Sequence, residues 1–393
     1  MRIVTLVLGL LFSLASWAAG PVRIGLDAEF GVKTSTSAQA VQQGLQIAIQ
    51  EINQAGGVLG GRKLELVTRD NRSVTAIGVD NLRELAAQPD LVAVFGGKYS
   101  PIYMEVLPVA HELGVLLMDP WGSADGVTDH QLRPSFSFRL SLKDAWAAPA
   151  FLRFAREQHH ATRVGVILPN TAWGRSNSAA LEKASGPAGV SLVGQRWYNW
   201  GDASLMQQYG ELRAAGAQAI VIVANEIEGA LLVREVAALP ASQRLPLISH
   251  WGITGGEFAR LAGPALDQVD FAVIQTYSFV GQRGPVASRV LAALKRDHGV
   301  ESAEAVKSPV GVAHAYDLMH LLARAIDKAG STDRSKVRDA LERLGPYDGL
   351  VRRYTQPFAP DRHDALSPAQ IFFARYTADD RLLPIPSRRT PAR

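Results

Sequence analysis

Short apolar runs and amphipathic helical stretches alternate along almost the whole chain, and this alternation restricts the possible folds more than any other feature. Residues 22–26 read as a strand, followed by a helix over 38–54 in which Val41, Leu45, Ala48, Ile49 and Ile52 recur at helical spacing. Ala55-Gly56-Gly57 stops that helix, glycine being the usual residue just past a helix end. Strands at 63–68, 91–95 and 115–118 then alternate with helices at 76–88 and 101–113. The pattern restarts with helix 147–157, strand 164–168, helix 176–185, strand 191–197, helix 205–215, strand 219–223, helix 229–239 and strand 245–249. Strand 271–276, helices near 286–298, 310–329 and 335–344, and a last β-like stretch at 371–377 complete it. Such β-α-β alternation builds parallel sheets with helices on both faces. A chain of 393 residues is too long for one compact core. The expectation is an α/β protein of two doubly wound parallel-sheet lobes.

The ends of the chain read differently from its body. Met1-Arg2 is a short basic start, residues 3–14 are apolar, and Ser16-Trp17-Ala18 places small residues at the spacing of a processing site. Residues 1–18 therefore read as a signal peptide cleaved after Ala18, the apolar run being short for a bilayer span. Arg388, Arg389 and Arg393 sit in a Pro-containing tail expected to fray. The chain has no cysteine, which excludes disulfides, thiol catalysis, thiolate metal sites and a lipidated cysteine anchor. A free periplasmic protein is the expectation. The formal net charge is +4 with both signs interspersed, which gives no basic patch for nucleic acid.

In open parallel sheets ligands sit beyond the carboxyl ends of the strands. After residues 92–95 comes Gly96-Gly97-Lys98-Tyr99-Ser100-Pro101, in which Ser100 reads as an N-cap and Pro101 as the first helical residue. That helix start suits a ligand carboxylate. After 116–118 comes Asp119-Pro120-Trp121-Gly122-Ser123, which offers backbone N–H groups, a hydroxyl and an aromatic wall. Pro169-Asn170-Thr171-Ala172-Trp173-Gly174 succeeds the strand at 164–168, and Trp173 reads as a lid from the second half. Ala224-Asn225-Glu226 and His250-Trp251-Gly252 come after two further strands. Each tryptophan alone is as well explained by packing, but aromatic and polar residues together at five strand ends describe a small-ligand cleft. The candidate binding residues are Ser100, Trp121, Gly122, Ser123, Trp173, Asn225, Glu226 and Trp251.

Enzyme motifs are absent: there is no G-x-S-x-G, H-E-x-x-H, P-loop or G-x-G-x-x-G pattern. The 56–61 glycine cluster reads as a turn, and His159-His160 as a solvated helix end rather than a metal site. Asp70, Asp119 and Glu29 have no catalytic spacing and fit caps or cleft polar groups equally well. No enzymatic activity, metal or cofactor is expected.

The stretch from Gly44 to Asn53, with Gly56-Gly57-Val58-Leu59-Gly60-Gly61-Arg62-Lys63-Leu64 after it, resembles type I periplasmic binding proteins, and most of all the leucine/isoleucine/valine-binding group of ABC importers. Residues 95–100, 119–123 and 172–174, Pro357-Phe358 and His363-Asp364-Ala365-Leu366 extend the resemblance over nearly all of the chain after the signal peptide. It implies two lobes joined by three crossovers: residues 19–139 with 277–352, and 140–276 with 353–393. It also implies a ligand carboxylate on Ser100, Gly122 and Ser123, with Trp173 covering it. In the branched-chain group an acid at the position of Trp251 holds the ligand ammonium; here Trp251 is no acid, and Glu226 is the nearest substitute. The implied function is capture of an amino-acid-like, carboxylate or amide ligand by hinge closure for an inner-membrane ABC permease. The same fold also serves soluble sensor subunits that report occupancy to a membrane receptor or kinase.

Overall fold

A computed structural model describes residues 20–377 and 379–386, so the expected signal peptide and the arginine-bearing tail lie outside the described residues. The first sheet contains β1 (Val22–Ala28), β2 (Leu64–Asp70), β3 (Leu91–Gly96), β4 (Leu116–Asp119) and β5 (Ser137–Arg139), in the spatial order β2-β1-β3-β4-β5. Every pairing in it is parallel. The second sheet contains β6 (Arg163–Pro169), β7 (Ser191–Tyr198), β8 (Ala219–Ile222), β9 (Leu247–Ser249) and β10 (Phe271–Gln275), all parallel. A two-residue ribbon, β11 (Tyr347–Asp348) with β12 (Arg353–Tyr354), stands apart from both sheets. The expected last β-stretch is β13 (Phe372–Tyr376), which runs antiparallel to β10 and carries β14 (Leu382–Pro384) as an antiparallel edge.

The helices are α1 (Ser37–Gln54), α2 (Thr75–Ala86), α3 (Ser100–Glu112), α4 (Asp144–His159), α5 (Ala172–Ala188), α6 (Met206–Ala214), α7 (Glu226–Ala237), α8 (Phe258–Ala262), α9 (Pro285–His298), α10 (Pro309–Ala329) and α11 (Arg334–Leu341). Strands with helices on both faces are buried on both faces, which is why Leu91–Gly96 is an unbroken buried run rather than an alternating one. Val92 and Phe95 join the large core, while Leu91 and Val94 join Leu82, Leu85, Ile102 and Val106 under α2 and α3. Helix α1 ends where Gly57 takes a φ of +82°, a left-handed turn that suits glycine. Helix α10 packs along α1, and the two backbones come so close that a Cβ on Gly44 would lie 2.2 Å from the Val312 carbonyl oxygen.

The chain passes between the sheets three times: after β5, after β10, and between β12 and β13. The first and third passages are bonded to each other, with Arg139 N–H donating to the His363 carbonyl and Ala365 N–H to the Arg139 carbonyl, each at 2.8 Å. This is the two-lobed α/β architecture with a three-stranded hinge. Among the described residues no helix is long and apolar enough to cross a membrane.

Candidate ligand-binding site

In the lobe of the first sheet, the site is built where β1, β3 and β4 end. Tyr99, in extended conformation, occupies the position before α3, and Ser100 is already helical. The Ser100 hydroxyl does not cap its own helix, contrary to the expectation. It accepts hydrogen bonds from the Ser123 and Ala124 amides at 3.1 and 3.2 Å, because the loop after β4 lies beside the one after β3. Asp119 Oδ1 accepts from the Trp121 and Gly122 amides at 2.9 and 2.6 Å and so folds that loop into a turn. Burial pushes the Asp119 pKa up to about 7, against Arg139 and the two amides, which pull it down. At the end of β1, buried Glu29 accepts from the hydroxyls of Ser35, at 3.2 Å, and Ser37.

The second sheet supplies the facing side. Thr171 caps α5 by accepting from the Gly174 amide, which places Trp173 in the first turn of the helix rather than ahead of it. Trp173 is 5% exposed, and its Nε1 donates to the Ser123 hydroxyl across the lobe boundary at 2.9 Å. Its ring meets His250 edge-on at 4.9 Å, and His250 Nε2 lies 3.1 Å from Asp144 Oδ1. Trp251 packs against Trp121 of the opposite lobe, with ring centroids 5.9 Å apart, and against His314 at 5.8 Å. Asn225 takes the extended position before α7, and Glu226 opens that helix.

Glu226 is met by the other lobe. Lys98 Nζ donates to Glu226 Oε2 at 2.7 Å and to the Gly255 carbonyl at 3.1 Å, while Thr34 Oγ1 donates to Glu226 Oε1 at 2.9 Å. Both charged side chains are 1% exposed. Burial disfavours the Lys98 ammonium, but Glu226, Tyr99 and Glu29 outweigh it and hold the lysine pKa above its ordinary value. At the rim, Tyr99 and Trp200 meet edge-on at 5.4 Å.

All eight residues singled out from the sequence are therefore buried where the lobes meet. Ser100, Gly122, Ser123 and Trp173 form one group; Trp121 and Trp251 form a second contact, and Glu226, beside Asn225, a third. Lys98, Thr34 and Gly255 were missed. Lys98 stands in the same loop as Ser100, and Thr34 lies beyond the end of β1, so a basic residue after the Gly96-Gly97 pair is the signal the sequence offers. Asp70 serves as a turn acceptor for the Gly31 and Arg72 amides at 3.1 and 3.0 Å. His159 is half-buried against Phe154 and 3.5 Å from Asp270, not freely solvated, whereas His160 is exposed. Among the described residues no group of three or more His, Cys, Asp or Glu is placed to hold a metal ion.

Two sheet lobes closing hydroxyls and indole rings between their strand ends define a ligand-capturing protein of the two-lobed, hinged class. Residues 21–380 match the model of the periplasmic binding protein family, and the chain belongs to that family. It is 25% identical over 340 residues to the Leu/Ile/Val-binding protein homolog 1 of Brucella suis, covering 86% of each chain. It superposes on a type 1 periplasmic binding protein from Bordetella pertussis with a TM-score of 0.81 at 22% identity, covering 93% of this chain and 100% of that one. The LivJ substrate-binding protein of Streptococcus pneumoniae, solved with isoleucine, gives 0.75 at 20% identity, with coverage of 93% and 100%.

Proposed function

We propose that this chain is the periplasmic substrate-binding component of an ABC importer, and that it captures a small amino-acid-like, carboxylate or amide ligand by closing its lobes. The observation that carries this reading is the bond from Trp173 Nε1 to Ser123 Oγ, a buried polar contact made only when the lobes meet. Among the described residues the Ser100 and Ser123 hydroxyls act only as acceptors, so each keeps a proton to donate. Two such donors beside the Gly122 turn suit a carboxylate or carbonyl oxygen. Trp121 and Trp251 wall the ligand, Trp173 is its lid, and Asn225 and Glu226 complete the facing edge. Closure is favoured to the extent that ligand and lobes make contacts unique to the closed state. The closed form is then what an inner-membrane permease receives. The Leu/Ile/Val and isoleucine names of the relatives support a ligand of amino-acid size.

A thermal-shift screen of the processed chain against amino acids, amides, urea and small aromatic acids tests this. A ligand well above its dissociation constant raises Tm through binding linkage. Small-angle scattering of the same samples should show compaction with each hit. If no compound of these classes shifts Tm or compacts the protein, the reading is rejected.

A further inference from the structure

An α-ammonium group entering this cleft needs an accessible carboxylate, and each of the four acids near the lobe boundary is buried, with a partner on at least one oxygen. Glu226 has Lys98 on one oxygen and Thr34 on the other. Asp144 faces His250, with both side chains fully buried. Asp119 is tied to two amides through Oδ1, and its Oδ2, like that of Asp144, is buried without a hydrogen-bond partner. Glu29 holds the Ser35 and Ser37 hydroxyls, and its other oxygen lies 3.4 Å from the Lys98 amide nitrogen. The Lys98 ammonium, reaching across from β3 to the start of α7, thus occupies the position that a ligand ammonium would take against Glu226.

We infer that Lys98 is a built-in substitute for a ligand ammonium, so that the cleft selects carboxylates without an α-amino group and discriminates against free amino acids. This rests on the binding-protein reading above and narrows its ligand class. An amino acid can use Glu226 only by displacing Lys98, whose side chain is 1% exposed and would lose its ion-pair partner inside the closed cleft. Separating a buried ion pair in this way weakens binding by about a hundredfold or more. The hydroxyl protons of Ser100 and Ser123 remain for the carboxylate, and the three indoles for an apolar body. The pair does not need to contribute net stability to act as a filter: its desolvation is already paid when the lobes close, whichever ligand is present.

Calorimetric titration of matched pairs that differ only in the α-ammonium tests the inference: leucine against isocaproate, and phenylalanine against hydrocinnamate. The wild-type protein should bind at least one desamino acid, and bind its amino partner about a hundredfold more weakly or not at all. In Lys98→Met, Glu226 is left without its cation, and the amino member of the pair should gain on its partner by tenfold or more. An amino acid binding the wild type as tightly as its desamino partner overturns the inference while leaving the binding reading intact. Binding of neither member of either pair overturns carboxylate selection, and only an empty thermal-shift screen as well removes the binding reading. The wild-type comparison decides the question even if Lys98→Met fails to fold.

Discussion

Asp364→Asn should loosen the hinge by a calculable amount. Arg139, at the start of the first passage between lobes, donates from Nε to Asp364 Oδ1 at 2.6 Å, from Nη1 to the Ala124 carbonyl at 2.8 Å and from Nη2 to Thr128 Oγ1 at 2.6 Å. Lys143 Nζ reaches Asp364 Oδ2 at 3.3 Å. The Arg139 side chain is 0% exposed and that of Asp364 9%. Asparagine keeps the shape and one acceptor but leaves two cations facing a neutral group. Breaking a buried pair on one side costs about 3–5 kcal/mol, and the retained acceptor argues for the lower end, about 3 kcal/mol. The unfolding entropy of a chain this long is about 0.8 kcal/mol per kelvin, so Tm should fall by about 4 °C at neutral pH. Burial works to raise the Asp364 pKa, but Arg139 and Lys143 outweigh it and hold it below the ordinary value. A depressed folded pKa contributes stability above the unfolded value, about 3.9, that is lost as pH falls through the folded one. Differential scanning calorimetry should therefore show the full Tm gap at neutral pH and a closing gap below pH of about 4. A gap under about 1 °C at neutral pH, or one that widens on acidification, refutes the ion-pair account of this hinge.

Trp173→Phe keeps an aromatic ring, though a smaller one, and removes the donor to Ser123, so ligand affinity should fall by at least about two- to tenfold, the net worth of one hydrogen bond; unchanged affinity would strip Trp173 of its lid role. Gly44→Ala puts a methyl group 2.2 Å from the Val312 carbonyl oxygen, so α1 and α10 must part, at about 1–3 kcal/mol. A thermal midpoint equal to wild type would show that this helix contact yields freely. Asp119, with its pKa raised to about 7, favours the fold most below the unfolded carboxylate value and loses that contribution as pH rises through 7. Asp119→Asn should accordingly gain in stability relative to wild type between about pH 4 and 7, by up to about 4 kcal/mol of linkage, and a pH-independent difference in Tm would contradict the burial assignment.

Strands buried on both faces announce themselves as continuous apolar runs, so Leu91–Gly96 and Ala219–Ile222 were legible, as was α1 from its helical spacing. Ser137-Phe138-Arg139 was not, because three residues of mixed polarity become a strand only by pairing with β4. Nor does chain order reveal that β1 lies between β2 and β3, or that the last strands turn antiparallel. The site divides in the same way. Residues just past the strand ends line the boundary between the lobes, and their positions depend on local order alone. The role of each side chain there depends on partners far away in sequence: Ser100 turns from its own helix to the Ser123 amide, and Lys98 finds Glu226 from the other lobe.

These two cases also differ in how far a substitution elsewhere can undo them. The Ser100 contact lies within one lobe, between the loops after neighbouring strands β3 and β4, and so should survive opening of the cleft. The Lys98 contact exists only while the lobes are shut, so any change that shifts the hinge exposes both charges to water, where their attraction is worth little. Specificity at Glu226 is thereby tied to closure: the filter against an ammonium group operates in the closed state, where the ligand is held. An open cleft would admit amino acids and carboxylates alike, and discrimination would be made at the closing step.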